Sequence, residues 1–125
     1  MRRSEIAVAK DIIVIRPEKD FVMDPLGDFR EEKIIKAMQN LSRVNVVFNM
    51  DNVEFIDSYS AGILLKFSSA VKANRGFFAV YNLKEGPRKT IERLQLMNIL
   101  NVHTDAEGCF ANLAALNGKR GELAS

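Results

Sequence analysis

Asp57-Ser58 is the pair in this chain whose residue types best suit chemistry. A serine hydroxyl beside a carboxylate can receive a phosphoryl group, cap a helix or, with a base in reach, act as a nucleophile. The last option finds little support. His103 is the only histidine and would serve Ser58 only if folding brought the two together, and no Gly-x-Ser-x-Gly elbow surrounds the serine. The seven glycines are scattered, and Gly86-Pro87-Arg88-Lys89 lacks the spacing of a phosphate-binding loop. Asp51, Glu54 and Asp57 supply oxygens of the kind Mg²⁺ takes in a phospho-acceptor aspartate domain. Only one of them clearly sits at a strand end, however, and no acidic pair falls near the first strand. Cys109, the only cysteine, has no zinc-ligand spacing around it and reads as a small core hydrophobe. These patterns predict no catalytic residue, no metal and no cofactor, and therefore a binding module rather than an enzyme.

The elements around Ser58 decide how that hydroxyl is presented. Val44, Val46, Val47 and Phe48 form a short apolar run of strand formers bounded by Asn49-Met50-Asp51-Asn52, the pattern of a strand buried on both faces. Val53, Phe55 and Ile56 then lead into Asp57-Ser58, and helical spacing starts at once. Asp57 or Ser58 can cap this helix by accepting a first-turn N–H. At about 100° per residue, Ile63, Leu64, Phe67, Ala70 and Val71 share one stripe, and Ser58, Ala61, Gly62, Leu65 and Ser69 fall opposite it. Ser58 is thus expected to face solvent or a partner. A phosphate there would meet the positive end of the helix dipole and repel Asp57.

Asp57-Ser58-Tyr59-Ser60-Ala61-Gly62, with Val53-x-Phe55-Ile56 before it and Ile63-Leu64-Leu65 after it, resembles the Asp-Ser-Ser/Thr-Gly-Leu-Gly motif of bacterial anti-sigma factor antagonists, single-domain members of the STAS family. The likeness extends in element order from about Ile6 to Leu116. It implies that Ser58 is phosphorylated by an anti-sigma factor that is itself a serine kinase, and that a serine phosphatase resets it. Unphosphorylated, the protein would bind that kinase and release the sigma factor. The surface so implied comprises Asp57, Ser58, Tyr59, Ala61, Gly62, Leu65 and Ser69. Tyr59 replaces a small hydroxyl residue of the motif, Ser60 a Gly and Ala61 a Leu, and Glu18 to Asp24 stand where the family carries a Gly-Glu-Leu-Asp type turn. These departures point to a divergent partner. They also leave a rival reading open, a STAS-like scaffold or ligand sensor in a transport or stress complex, with Ser58 merely a cap.

The remaining chain supplies a frame. Ile6 and Val8, then Ile12 to Ile15, are two strand-like runs around Ala9-Lys10-Asp11, a hairpin pattern ended by Pro17. Asp24-Pro25 opens a helix carrying Leu26, Phe29, Ile34, Ile35, Met38 and Leu41. Asn74-Arg75-Gly76 stops the central helix, with Gly76 suited to the left-handed conformation. A strand over Phe77 to Asn82 follows. A helix from Glu85-Gly86-Pro87 then buries Ile91, Leu94 and apolar residues through Leu100, leaving Arg88, Lys89, Glu92 and Arg93 in water. Asn101 to Thr104 read as a last edge strand. Thr104 or Asp105 caps a final helix through Phe110, Leu113 and Leu116, and Asn117-Gly118 stops it.

This order predicts an α/β fold, a STAS-like sandwich whose mixed sheet of about four to five strands is covered by about four helices. Residues 1–118 form the expected single domain and 119–125 a flexible tail. Lys+Arg 18 against Asp+Glu 16 leaves a formal charge of +2, too balanced to suggest direct nucleic-acid or membrane binding. No apolar run approaches the length of a span, and the lone cysteine suits a reducing compartment, so a cytoplasmic protein is expected.

Overall fold

The computed structural model describes residues 5–9, 12–17 and 44–124. The helix expected from Asp24-Pro25 to Leu41, the turn at Lys10-Asp11 and the segment Glu18 to Asp24 lie outside the described residues. Five strands form one sheet in the order β1-β2-β3-β4-β5: β1 (Glu5–Ala9), β2 (Ile12–Arg16), β3 (Asn45–Asn49), β4 (Phe78–Tyr81) and β5 (Val102–His103). The first pair is antiparallel, with Ala9 opposite Ile12, and β2 to β5 run parallel. Three helices are described: α1 (Ser58–Ala73), α2 (Glu85–Arg93) and α3 (Ala106–Ala124).

The central strands read as almost continuous hydrophobic runs because helices cover both faces. Val46 and Phe48 of β3 and Phe78 and Val80 of β4 point to one side, where they pack with Ile63, Leu64, Phe67 and Val71 of α1 and Ile91 of α2. Val47, Ala79 and Tyr81 point to the other, where Cys109 and Leu113 of α3 close over them. Phe48 centres the larger core, with its ring 5.3 Å from that of Phe67 at 70° and 5.8 Å from that of Phe78. An edge-to-face pair of this kind adds about 1 kcal/mol to the burial of its rings.

Element ends depart from the expected ones for local reasons. The fourth strand begins at Phe78, because the Phe77 N–H is taken by the Oδ1 of buried Asn45 (3.0 Å). It stops before Asn82, whose φ of 62° leaves the extended region. The central helix does end at Asn74-Arg75-Gly76, but Arg75 is the left-handed residue, with φ 62°; among the described residues no glycine has positive φ. The Gly76 N–H donates to the Val71 carbonyl (2.8 Å) and the Arg75 N–H to that of Lys72 (3.0 Å), the paired bonds of a Schellman turn. Leu94, expected on the buried stripe of α2, is instead exposed, since the helix ends at Arg93 and left-handed Gln95 redirects the chain. Asn117-Gly118 does not stop the last helix. It continues to Ala124, because a glycine inside a helix costs only about 1 kcal/mol and the good helix formers Lys119, Arg120, Glu122, Leu123 and Ala124 follow. Among the described residues no helix is long and apolar enough to cross a membrane.

Candidate functional site

The loop from β3 to α1 aims the Ser58 end of the helix. The Met50 N–H donates to the Tyr81 carbonyl (3.0 Å) and the Val53 N–H to that of Met50 (3.0 Å), so the chain turns tightly as it leaves β3. Met50, Val53 and Ile56 sink into the core, while Glu54 and Phe55 between them stay exposed. Three buried anchors, the last of them Ile56 directly before Asp57, therefore hold the loop in place. The Asp57 Oδ1 accepts from the Ser60 N–H at 2.7 Å, with Asp57 in extended backbone. Of the two expected caps Asp57 is the one, and Ser58 becomes the first residue of the helix. It is exposed, and its hydroxyl is not engaged as the cap.

Beside this end lies a polar cluster. Arg16, at the carboxyl end of β2, donates from Nε to Asp51 Oδ1 (2.7 Å) and from an Nη to Oδ2 (3.1 Å), and it reaches Asn52 Oδ1 at 3.3 Å. This two-pronged pairing ties β2 to the β3 turn. Asn49 Oδ1 accepts from the Asp51 N–H (3.2 Å) and from Asn82 Nδ2 (3.2 Å), tying in β4 as well. The carboxylates weighed as Mg²⁺ ligands thus have separate tasks: Asp51 holds Arg16, Glu54 lies 3.8 Å from Lys84 and Asp57 caps α1. Among the described residues no group of three or more His, Cys, Asp or Glu side chains gathers as metal ligands would. Tyr81, buried below the cluster, has its phenol pushed up by burial, then by the Cys109 thiol and Asp51, with Arg16 opposing. Burial likewise pushes the Cys109 thiol up to about 11. Cys109 is therefore held as the neutral thiol at physiological pH, as a core hydrophobe should be.

The helix face is rotated from the expected one. Tyr59, Gly62 and Ser69 are exposed and Leu65 is partly so, but Ala61 is fully buried in the main core, and Ser60 and Ser68 are buried as well. Taken at about 100° per residue, the buried arc covers roughly 160° and runs from Ile63 through Leu64 to Ala61. The apolar stripe leaves that flank out because small residues occupy it, and at Ser68 the 94–100 segment comes close. The Ile99 carbonyl accepts from Ser68 Oγ (3.3 Å) and from Lys72 Nζ (2.8 Å). Ala61 is thus removed from the candidate surface.

Two features were not legible beforehand. Phe55, three residues before Ser58, is 55% exposed and Tyr59, immediately after it, is 57% exposed, so large aromatics flank the serine in sequence. Nothing in the spacing marks Phe55 as outward, since Val53 and Ile56 on either side both turn in. His103, the other residue weighed for chemistry, sits on the edge strand β5 and lines a separate cleft with Leu83, Arg88, Met97, Val102 and Thr104.

Comparison with known proteins places this geometry. A Thermotoga maritima protein provisionally named an anti-sigma factor antagonist is 20% identical over 96 residues, 77% of this chain and 84% of that protein. The structure of the anti-sigma factor antagonist SpoIIAA in its unphosphorylated form superposes with a TM-score of 0.73 at 18% identity, covering 90% of this chain and 96% of that one. A variant of Moorella thermoacetica RsbS superposes with a TM-score of 0.68 at 15% identity, covering 90% of this chain and 97% of that one. At such identities these structures speak to the fold, a mixed sheet between helices. The family itself rests on a sequence model of the STAS domain that matches residues 4–109. With most of its length under that model and the matching fold beneath it, the chain belongs to the STAS domain family.

Proposed function

We propose that this protein is an anti-sigma factor antagonist: with Ser58 unmodified it docks the amino-terminal end of α1 on an anti-sigma factor that is a serine kinase, and so frees a sigma factor. Phosphorylation of Ser58 ends the complex, and a serine phosphatase restores it. The reading puts the protein in the bacterial cytoplasm and gives it no reaction of its own. Its main support is one observation, the exposed hydroxyl of Ser58 at the first position of α1, relieved of capping by Asp57 and lying in a chain of the STAS family. A phosphoryl group there adds about two negative charges beside a carboxylate that its own bond to Ser60 holds in place. Charge added at a docking surface works against association when the partner's potential complements the unmodified face.

The docking face on this reading is Ser58, Tyr59, Gly62, Leu65 and Ser69, with Asp57 at its edge. Gly62 gives it further support. A Cβ at Gly62 would meet nothing within 4 Å, so folding does not require glycine at this exposed position, and a glycine inside a helix is a cost. Close approach of a partner explains its presence. Gly62→Leu is therefore expected to stabilise the free domain by up to about 1 kcal/mol while weakening the complex. Thermal unfolding and a binding titration of the same sample check both halves; a stabilised variant that still binds like the parent removes Gly62 from the interface.

The phosphoswitch is tested directly by incubation with ATP and the serine-kinase anti-sigma factors of the source organism. Label is expected on Ser58 in the parent and none in Ser58→Ala, located by peptide mapping. If no such kinase labels Ser58, the switch is wrong. A pull-down that recovers transporter or stress-complex components in place of a kinase would favour the scaffold reading instead.

A further inference from the structure

We propose that the cleft at the carboxyl ends of β4 and β5 binds a small organic carboxylate, at a site separate from the Ser58 surface. Leu83 follows β4, Val102 and His103 form β5, Thr104 follows it, Arg88 comes from α2 and Met97 from the turn after α2. The cleft measures about 100 Å³ and opens to solvent. That is room for several waters, or for an organic acid of fewer than about ten heavy atoms, and too little for a nucleotide.

The walls divide by chemistry. Leu83, Met97 and Val102 are partly buried against the main core and present an apolar side to the cleft. Arg88, His103 and Thr104 supply the polar side. A mainly apolar concavity with a few converging polar groups is the usual composition of a small-molecule site. Arg88 Nε is taken by Glu92 Oε1 at 3.0 Å, one turn along α2. The pair leaves the terminal nitrogens of the guanidinium for a second acceptor, and the planar fork suits a carboxylate. The His103 ring has Nδ1 on its α3 side, 4.0 Å from where a Cβ on Gly108 would stand, and its Nε2 is buried without a hydrogen-bonding partner in the protein. That nitrogen is closed off from solvent, so His103 serves the cleft as wall and not as donor. A carboxylate in the cleft, with one oxygen toward Arg88 and the other toward Thr104, lays its stem on Leu83, Met97 and Val102.

The neighbouring charges agree with a single negative head. On α2, Lys89 pairs with Glu85 (3.1 Å) and Arg88 with Glu92, and before the helix Lys84 faces Glu54. Of the charged residues on α2 and its approach, only Arg88 lines the cleft. A ligand that carries its own cation, such as an amino acid, finds no anionic wall residue to receive it.

The test is a titration of the isotopically labelled full chain, followed by NMR, with sodium butyrate at constant ionic strength. Butanol and butylammonium replace the head group in parallel samples. Saturable shifts of the Leu83, Met97 and Val102 methyls and of the His103 ring are expected with butyrate. Butanol should bind at least about tenfold more weakly, the loss of a charged head's discrimination, and butylammonium should not bind. Arg88→Gln, at an exposed position whose ion pair contributes little to the fold, should weaken butyrate binding at least about tenfold. His103→Phe, which keeps the ring's bulk in the wall, should leave it within about threefold. Equal binding of butanol, butyrate binding unchanged in Arg88→Gln, shifts centred on the Ser58 end, or no saturation by about 50 mM, where Kd would exceed any useful affinity, would each overturn the proposal.

Discussion

Ser58→Glu is expected to weaken binding to the anti-sigma factor proposed as partner by about a hundredfold or more, roughly 2.8 kcal/mol, while the domain stays folded. The two halves of that expectation have separate physical origins. Folding tolerates the carboxylate because Ser58 is exposed at the first position of α1, where a negative charge gains about 0.3–1 kcal/mol from the helix dipole. Binding does not, because the new charge stands next to Asp57, whose carboxylate is fixed by the 2.7 Å bond from the Ser60 N–H and cannot turn away. A partner surface suited to a neutral hydroxyl must then strip water from a charge it has no group to receive, and desolvated, unpaired charges at interfaces cost several kcal/mol. Ser58→Ala removes the acceptor without adding charge and should bind within a few-fold of the parent. Calorimetric titration of the three proteins against the purified anti-sigma factor measures the difference, and circular dichroism confirms that each is folded. Equal affinity of the glutamate variant and the parent would mean that charge at Ser58 does not govern the complex.

Gly76→Ala is expected to destabilise the fold by about 3 kcal/mol, at the upper end of what overpacking costs. The Cβ would overlap the carbonyl oxygen of Val44 and lie 2.8 Å from Val71 Cγ1. The first contact is with backbone, and that backbone leads into β3, whose next amide but one, Val46, is bonded to the Phe77 carbonyl at 2.8 Å. Relief by a side-chain rotation is therefore closed off, and either β3 or the turn after α1 must shift. For a chain of this size the urea midpoint should fall by about 1–2 M. Arg75→Gly, one residue earlier, should move the midpoint the other way, because Arg75 holds φ 62° at some cost that glycine avoids. Similar midpoints for Gly76→Ala and the parent would show that the two segments do not approach as closely as this packing requires.

These two positions also show how far the chain could be read before it folded. Asp57-Ser58 was recognisable as a helix start because capping is local: an oxygen on one residue meets an N–H three residues on, and no other part of the protein is consulted. The buried strand at Val44 to Phe48 and the two-sided core were legible because a run without polar interruption has only one stable place in a sheet. Gly76 was legible as a stop but not for its actual reason. Composition suggested a left-handed glycine, whereas the glycine is required by the approach of Val44, which is 32 residues away, and the left-handed residue is its neighbour Arg75.

The sequence by itself determined the mixed α/β frame, the helix start at Asp57-Ser58 and the family, since each rests on short-range periodicity or on a contiguous motif. Only the tertiary structure decided which way α1 is turned. Ala61, Ser60 and Ser68 are buried, with the Ile99 carbonyl against Ser68, and hydrophobic spacing registers how apolar a residue is, not what will lie on top of it. The same holds for the pairing of Arg16 with Asp51 and for the gathering of Arg88, His103 and Thr104 around one cleft. Such groups are separated along the chain, and their meeting depends on the sheet order and on where each strand ends.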